Sequence, residues 1–255
     1  MVVVTQSPWF EPPRIRHQVA RQMARFTRVL FVETPTDWRQ RTTTTLEEVA
    51  PNITRCRLGN PYRIPLRLQL YLDPLRERVK GNGGRVYRGG PTIVLLVDVK
   101  SEADPTYAVL HDELKTYADM LTTFRGDRME PRAITVIVSG NRARDAMVAQ
   151  PVRYAAIDGR SADLETNPSA ALVPLVSDNW QKLFTWRWEG QIPDDQRKAM
   201  LAWIDRAHAQ GRKVRFWNTP DRPDAWTLLL EAGVDVIGTD DLAGLQRFLL
   251  ARPGR

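Results

Sequence analysis

The 255-residue chain has 42% hydrophobic and 26% charged side chains, a balance that excludes a disordered polypeptide and leaves room for one large α/β domain or two small ones. Its single cysteine, Cys56, excludes an internal disulfide framework and gives no basis for a cysteine-based metal site. The net charge of +7 lies almost entirely at one end: residues 1–67 hold 11 Arg, no Lys and 5 acids, a net of +6, whereas the remaining 188 hold 26 basic and 25 acidic residues, a net of +1.

The start, MVVVTQSPWFEPPR, has no basic leader and too short an apolar run, so neither a signal peptide nor a membrane span is expected, and a cytoplasmic chain is. Val2–Thr5 reads as a short buried strand, followed by a Pro-containing loop over Ser7–Pro13. Ile15, Val19, Met23 and Phe26 recur at steps of three or four and predict a helix, and RVLFVE, residues Arg28–Glu33, reads as a second buried strand. The Arg excess here suits an anionic partner or a solvated face. It lacks the interleaved aromatic and basic pattern of a nucleic-acid module, so no nucleic acid is expected. Residues 40–68 are rich in Thr, Pro, Asn and Arg without helical periodicity, which places a domain boundary near Arg67: residues 1–67, then 68–255.

Beyond it, Leu70–Val79 predicts an amphipathic helix, and the turn-rich GNGGRVYRGGP leads into the strongest strand of the chain, TIVLLVDVK. Pro105–Phe124 predicts a helix with Leu110, Leu114, Tyr117, Ala118 and Leu121 on one face. Strands are then expected at Ile134–Val138, Tyr154–Ile157, Leu172–Val176, Lys213–Trp217 and Val234–Ile237. Helices at Asp194–Ala209, with apolar Met200, Leu201, Ile204 and Ala207, and at Asp224–Ala232 separate the last three, each ending just before a glycine. Apolar strands alternating with helices indicate a parallel sheet covered by helices.

In such an architecture the residues just after each apolar run carry the chemistry. They are Asp98 and Lys100, Asn141, Asp158 and Arg160, Asp178 and Asn179, Trp217 with Asp221, and Asp240 with Asp241. Converging carboxylates suit a hard divalent cation such as Mg²⁺ or Ca²⁺, and the flanking Lys100 and Arg160 suit an anionic substrate. Acids at strand ends equally serve as helix caps and turn formers. Trp180, Phe184, Trp186 and Trp188 crowd into one loop, either lining a cleft or packing against each other.

The run TIVLLVDVKSEADPTYAVLHDELKTYADML resembles the third-strand region of the glycerophosphodiester phosphodiesterase and phospholipase C-like superfamily, in which an acid and a lysine stand as (D/E)-x-K. TVIVSGN, AAIDGR, PLVSDNW, VRFWNTPD and AGVDVIGTDDLAGLQRFL resemble its fourth to eighth strands. The resemblance spans about residues 70–255. It implies a TIM-barrel-like (β/α)8 fold and a phosphodiester or phospholipid headgroup as partner. It further implies Asp98 as a metal ligand and Lys100 at the phosphate; with the strand-end positions added, Lys100 and Asn141 are expected at the reaction, and Arg160, Asn179, Trp180 and Trp217 at the substrate.

The family's two catalytic histidines have no counterpart, because His17, His111 and His208 all fall in predicted helices. Residues 1–40 resemble instead the opening β-α-β unit of certain glycosyltransferases, with a W-x-x-P-P-R-x-R-H-Q run. Two strands from that unit and six from the rest would total eight, which would bring Glu33 beside Asp98 and make Glu33, Asp98 and Asp240 a metal set. Three functions follow as expectations: a metal-assisted phosphodiester hydrolase-like barrel that is weak or inactive, a non-catalytic phosphate- or metal-binding module, and a glycosyltransferase fragment that binds a sugar nucleotide.

Overall fold

A computed structural model describes residues 2–5, 29–33, 45–50, 53–57 and 68–252. The chain divides into two compact units between Pro74 and Leu75.

In the first unit, β1 (Val2–Thr5), β2 (Val29–Glu33), β3 (Thr45–Ala50) and β4 (Ile53–Arg57) form a sheet in the order β1-β2-β4-β3. β1, β2 and β4 run parallel, and β3 closes the edge antiparallel to β4. The pair β3 and β4 escapes a search for helical periodicity. The helix expected around Ile15–Phe26, the Ser7–Pro13 loop, His17 and the side chain of Glu33 lie outside the described residues.

The second unit begins within α1 (Gln69–Gly81) and is built on a six-stranded parallel sheet. Its strands are β5 (Ile93–Val99), β8 (Ile134–Gly140), β10 (Ala156–Gly159), β11 (Leu175–Asn179), β12 (Lys213–Trp217) and β13 (Val236–Ile237), in that spatial order. Every strand therefore lies beside its predecessor in the sheet, and the winding never reverses. A twisted sheet wound in one direction curls, and this one forms a half-barrel compatible with a TIM-barrel-like fold.

The expected sum of eight strands is not what the hydrogen bonds make. β2 already has β1 on one edge and β4 on the other, so neither of its edges is free for β5. The two N-terminal strands belong to their own sheet, and β5 and β13 are the edges of the six-stranded one.

Between the strands run α2 (Ala103–Lys115), α3 (Arg144–Ala149), α4 (Ser161–Thr166), α5 (Trp180–Leu183), α6 (Asp194–Ala209), α7 (Pro223–Glu231) and α8 (Leu242–Leu250). Successive strand residues point to opposite faces. Val136, Val138, Ile157, Val176, Val214 and Phe216 share one face and are all buried. Met200, Ile204 and Ala207 of α6 are buried with them, as their spacing predicts.

One predicted helix is cut short. The run expected to reach Phe124 ends at Lys115, and the chain instead bridges Leu121 to Ile134 and enters a small antiparallel sheet. That sheet is β6 (Thr123–Arg125) between β7 (Arg128–Glu130) and β9 (Val152–Arg153). Leu121 and Phe124 are fully buried there, so the apolar positions read correctly as core although the backbone carrying them is not helical. Among the described residues, no helix is long and apolar enough to cross a membrane.

Candidate functional site: a cationic cavity at the strand ends

The strand registers alone bring the site together. Asp98 of β5 pairs with Ser139 of β8, and Ile157 of β10 with Val138, which sets Asp158 beside Ser139 on the same face. Ser177 of β11 pairs with Arg215 of β12. Asp98, Ser139, Asp158, Ser177 and Arg215 thus face one way, opposite to the buried Val138, Val176 and Phe216. Lys100, Arg160 and Trp217, each two residues further along its chain, stand at the strand ends. Leu96, Asp98, Lys100, Ser139, Gly140, Asp158, Arg160, Arg215 and Trp217 line a cavity of about 270 Å³.

Asp158 is the buried anchor of this cavity, only 1% exposed. Its Oδ2 accepts from Ser139 Oγ at 2.6 Å and from Arg160 Nη1 at 2.8 Å, and its Oδ1 accepts from Ser177 Oγ at 2.5 Å. A carboxylate can be buried at tolerable cost only with such donors and a counter-charge. Arg160 is held further, since Nη1 also donates to the Gly159 carbonyl at 2.7 Å, and its backbone N–H donates to Asp163 Oδ2 at 2.8 Å. Arg142 Nη1 donates to the Asp158 carbonyl at 2.7 Å.

Burial lowers the proton affinity of the Arg215 guanidinium, an effect opposed by Asp158 and Asp98 and reinforced by Arg160. Burial lowers that of Arg142 too, with repulsion from Arg160 next. Arg215 makes no hydrogen bond or ion pair among the described residues. On the exposed side, Lys100 Nζ lies 2.7 Å from Asp98 Oδ2. Gly140, at φ +72°, lets the end of β8 lie close against Asp98: a Cβ there would collide with the Val99 carbonyl and the Asp98 carboxylate.

Four of the residues expected at the site, Asp98, Lys100, Arg160 and Trp217, therefore meet in one cavity. Asn141 lies next to it, with its Nδ2 donating to the Ser101 carbonyl at 2.8 Å, so the amide ties two loops together. Asn179 caps α5, accepting from the Gln181 N–H at 2.9 Å and from Asn218 Nδ2 at 3.2 Å. Asp240 is outside the lining set, and its backbone N–H donates to Asp221 Oδ2 at 3.0 Å.

Trp180, expected at the substrate, is fully buried instead. Its ring packs against Phe184 at 4.5 Å, Trp188 at 4.4 Å and Phe216 at 5.5 Å between centroids. Phe216 belongs to the face opposite Arg215 and Trp217, so the aromatic loop seals the outer side of the sheet rather than lining the mouth.

Two histidines are described, and neither lines the cavity. His111 lies between the rings of Tyr107 and Tyr154, and burial lowers its proton affinity. His208 Nε2 is 2.9 Å from Asp235 Oδ2, which also accepts from the Val214 N–H near the start of β12, at the far end of that strand from Trp217.

Among the described residues, the cavity offers the divalent cation that the family resemblance implies two carboxylates, Asp98 and Asp158. Among the described residues, no three His, Cys, Asp or Glu side chains come together. The two carboxylates of the cavity each sit against a protein cation, Asp98 against Lys100 and Asp158 against Arg160.

Sequence reasoning missed Arg215, Ser139 and Ser177. The signal for Arg215 was present: a charged residue at the centre of KVRFW, flanked by valine and phenylalanine, marks the face opposite the core. The two serines, in SGN and SDN, read as ordinary loop residues until the register placed them on either side of Asp158.

Two family models match parts of the chain: the AIM6-like phosphodiesterase domain over residues 85–157 and the glycerophosphoryl diester phosphodiesterase family over residues 213–243. The altered inheritance of mitochondria protein 6 of Eremothecium gossypii is 26% identical over 217 residues, covering 75% of this chain and 56% of that protein. The chain thus spans little more than half the length of the curated relative it matches. No solved structure matches the chain. These likenesses support a glycerophosphodiester phosphodiesterase-like superfamily and give no support to the glycosyltransferase likeness of residues 1–40.

Proposed function

We propose that the cavity receives the phosphoryl group of a phosphodiester of the glycerophosphodiester or phospholipid-headgroup type, and that the chain holds this group without hydrolysing it at an appreciable rate. The observation that carries the reading is the convergence of Lys100, Arg160 and Arg215 on one cavity that has no histidine in its lining. Planar guanidinium forks match phosphoryl oxygens, and the anionic oxygens of a diester would find donors in a partly desolvated setting. Hydrolysis would in addition need a group that takes a proton from water or protonates the leaving alcohol, usually an imidazole in this chemistry. The described cavity offers carboxylates that are already paired with cations. The phosphodiesterase-like family matches support the substrate class.

Two measurements test this. Glycerophosphocholine should bind in calorimetric titration. Bis(p-nitrophenyl) phosphate should be hydrolysed no faster than background, whether Mg²⁺, Ca²⁺ or EDTA is present. Turnover abolished by EDTA would instead establish a metal-dependent hydrolase.

A further inference from the structure

We propose that this phosphoryl site works without a divalent cation, because two guanidinium groups, Arg160 clamped by the buried Asp158 and Arg215 unpaired beside it, supply the positive charge a metal would bring. The inference rests on the reading of the cavity as a phosphoryl site and adds how the charge is provided.

The chemistry of the carboxylates supports it. A hard cation needs several oxygen donors with free lone pairs. Asp158 has both oxygens engaged, by Ser139 and Arg160 on Oδ2 and by Ser177 on Oδ1. Three of its roughly four lone-pair sites are therefore taken, which leaves a metal at most one, on Oδ1, in a side chain that is almost wholly buried. Asp98 is nearer to solvent but already sits against Lys100.

Charge balance agrees. The lining carries three cations (Lys100, Arg160, Arg215) and two carboxylates (Asp98, Asp158), a sum of +1. A singly charged phosphodiester would neutralise that sum. A divalent cation would raise it to +3 before any ligand arrived, with two guanidinium groups close by.

The two arginines differ in role. Arg160 is pre-organised: Nη1 is directed to Asp158 Oδ2 and to the Gly159 carbonyl, so the orientation of its fork is settled before any ligand binds. Arg215 has no protein partner among the described residues although it is partly buried. A partly desolvated guanidinium whose donors are not taken by the protein is open to an anionic acceptor, and a phosphoryl oxygen would supply one. Asp158, with its oxygens turned to Ser139, Ser177 and Arg160, does not touch the ligand. It acts through Arg160 and is a positioning residue.

The test is calorimetric titration of the full chain with glycerophosphocholine, first in EDTA and then with excess Mg²⁺ or Ca²⁺. The expected affinity is the same in all three. Arg215→Gln, at the cavity wall, should weaken binding roughly tenfold in EDTA, the loss of one charge-assisted hydrogen bond. Asp158→Asn and Arg160→Gln should each weaken it by a similar factor, and the double variant by no more than the stronger single one, since one acts through the other.

Binding seen only with a metal would overturn this inference and leave the phosphoryl-site reading standing. Absence of binding under every condition would overturn both. Fully additive effects of Asp158→Asn and Arg160→Gln would remove the positioning role. If Asp158→Asn fails to fold, unchanged affinity in Arg215→Gln still overturns the proposal.

Discussion

Gly140 links the stability of the sheet to the shape of the site, and its replacement by alanine is a sharp test of the register described above. The residue ends β8 at φ +72°, where an alanine would have to adopt the left-handed region, at a cost of roughly 1–2 kcal/mol. The new methyl group would also meet two rigid neighbours, the Val99 carbonyl and the Asp98 carboxylate. The carbonyl belongs to the neighbouring strand, so relief requires β5 and β8 to part locally, and overpacking of this kind costs about 1–3 kcal/mol more.

The expected total is about 2–5 kcal/mol, a large share of the roughly 5–15 kcal/mol that holds a domain together. Gly126→Ala provides the control. Gly126 also has positive φ, +55°, but a Cβ there has nothing within 4 Å, so it should lose only the backbone part, roughly 1–2 kcal/mol. Urea unfolding followed by tryptophan fluorescence measures both variants. Equal losses for the two would refute the close approach of Gly140 to Val99 and Asp98, and with it the pairing that brings Asp98 and Ser139 to one face.

Two further outcomes follow from buried side chains. Trp180→Ala should lose about 3–5 kcal/mol in the same assay, because it empties the space between Phe184, Trp188 and Phe216, while the affinity of the surviving folded protein for glycerophosphocholine stays unchanged; a selective loss of affinity would put the indole back at the substrate. The Tyr107 hydroxyl, whose ring is 2% exposed, is pushed up from 10.0 to about 12 by burial, with Arg153 opposing. The native state then binds more protons than the unfolded chain between those values, so this contribution is fully present below about pH 10 and is lost as pH rises towards 12. At about 1.4 kcal/mol per pH unit the loss is roughly 2–3 kcal/mol. Tyr107→Phe should flatten that slope in urea titrations between pH 9 and 12, and an identical slope in wild type and variant would refute the assignment.

Periodicity was enough to find the six parallel strands and the helices between them, because each strand is a short apolar run and each helix buries a stripe. TIVLLVDVK and KVRFW were read to within a residue or two, while Leu172–Val176 was placed early because the ladder begins only after Pro174. β3, β4 and the small β6-β7-β9 sheet were not legible. Antiparallel strands of two to six residues take their stability from the partner strand, and no single stretch of sequence records it.

The same division holds for the site. By itself the sequence determined that polar residues end the apolar strands and that Asp98 and Lys100 stand two apart at the end of one of them. These are local facts, set by the alternation of side chains along one segment of backbone. Only the tertiary structure decided that Ser139, Asp158 and Ser177 converge, that Arg215 joins Asp158 at the same cavity, and that Trp180 is packed on the far side. Each of these depends on the register between strands some twenty to forty residues apart, and a shift of one residue would have sent every one of these side chains to the opposite face.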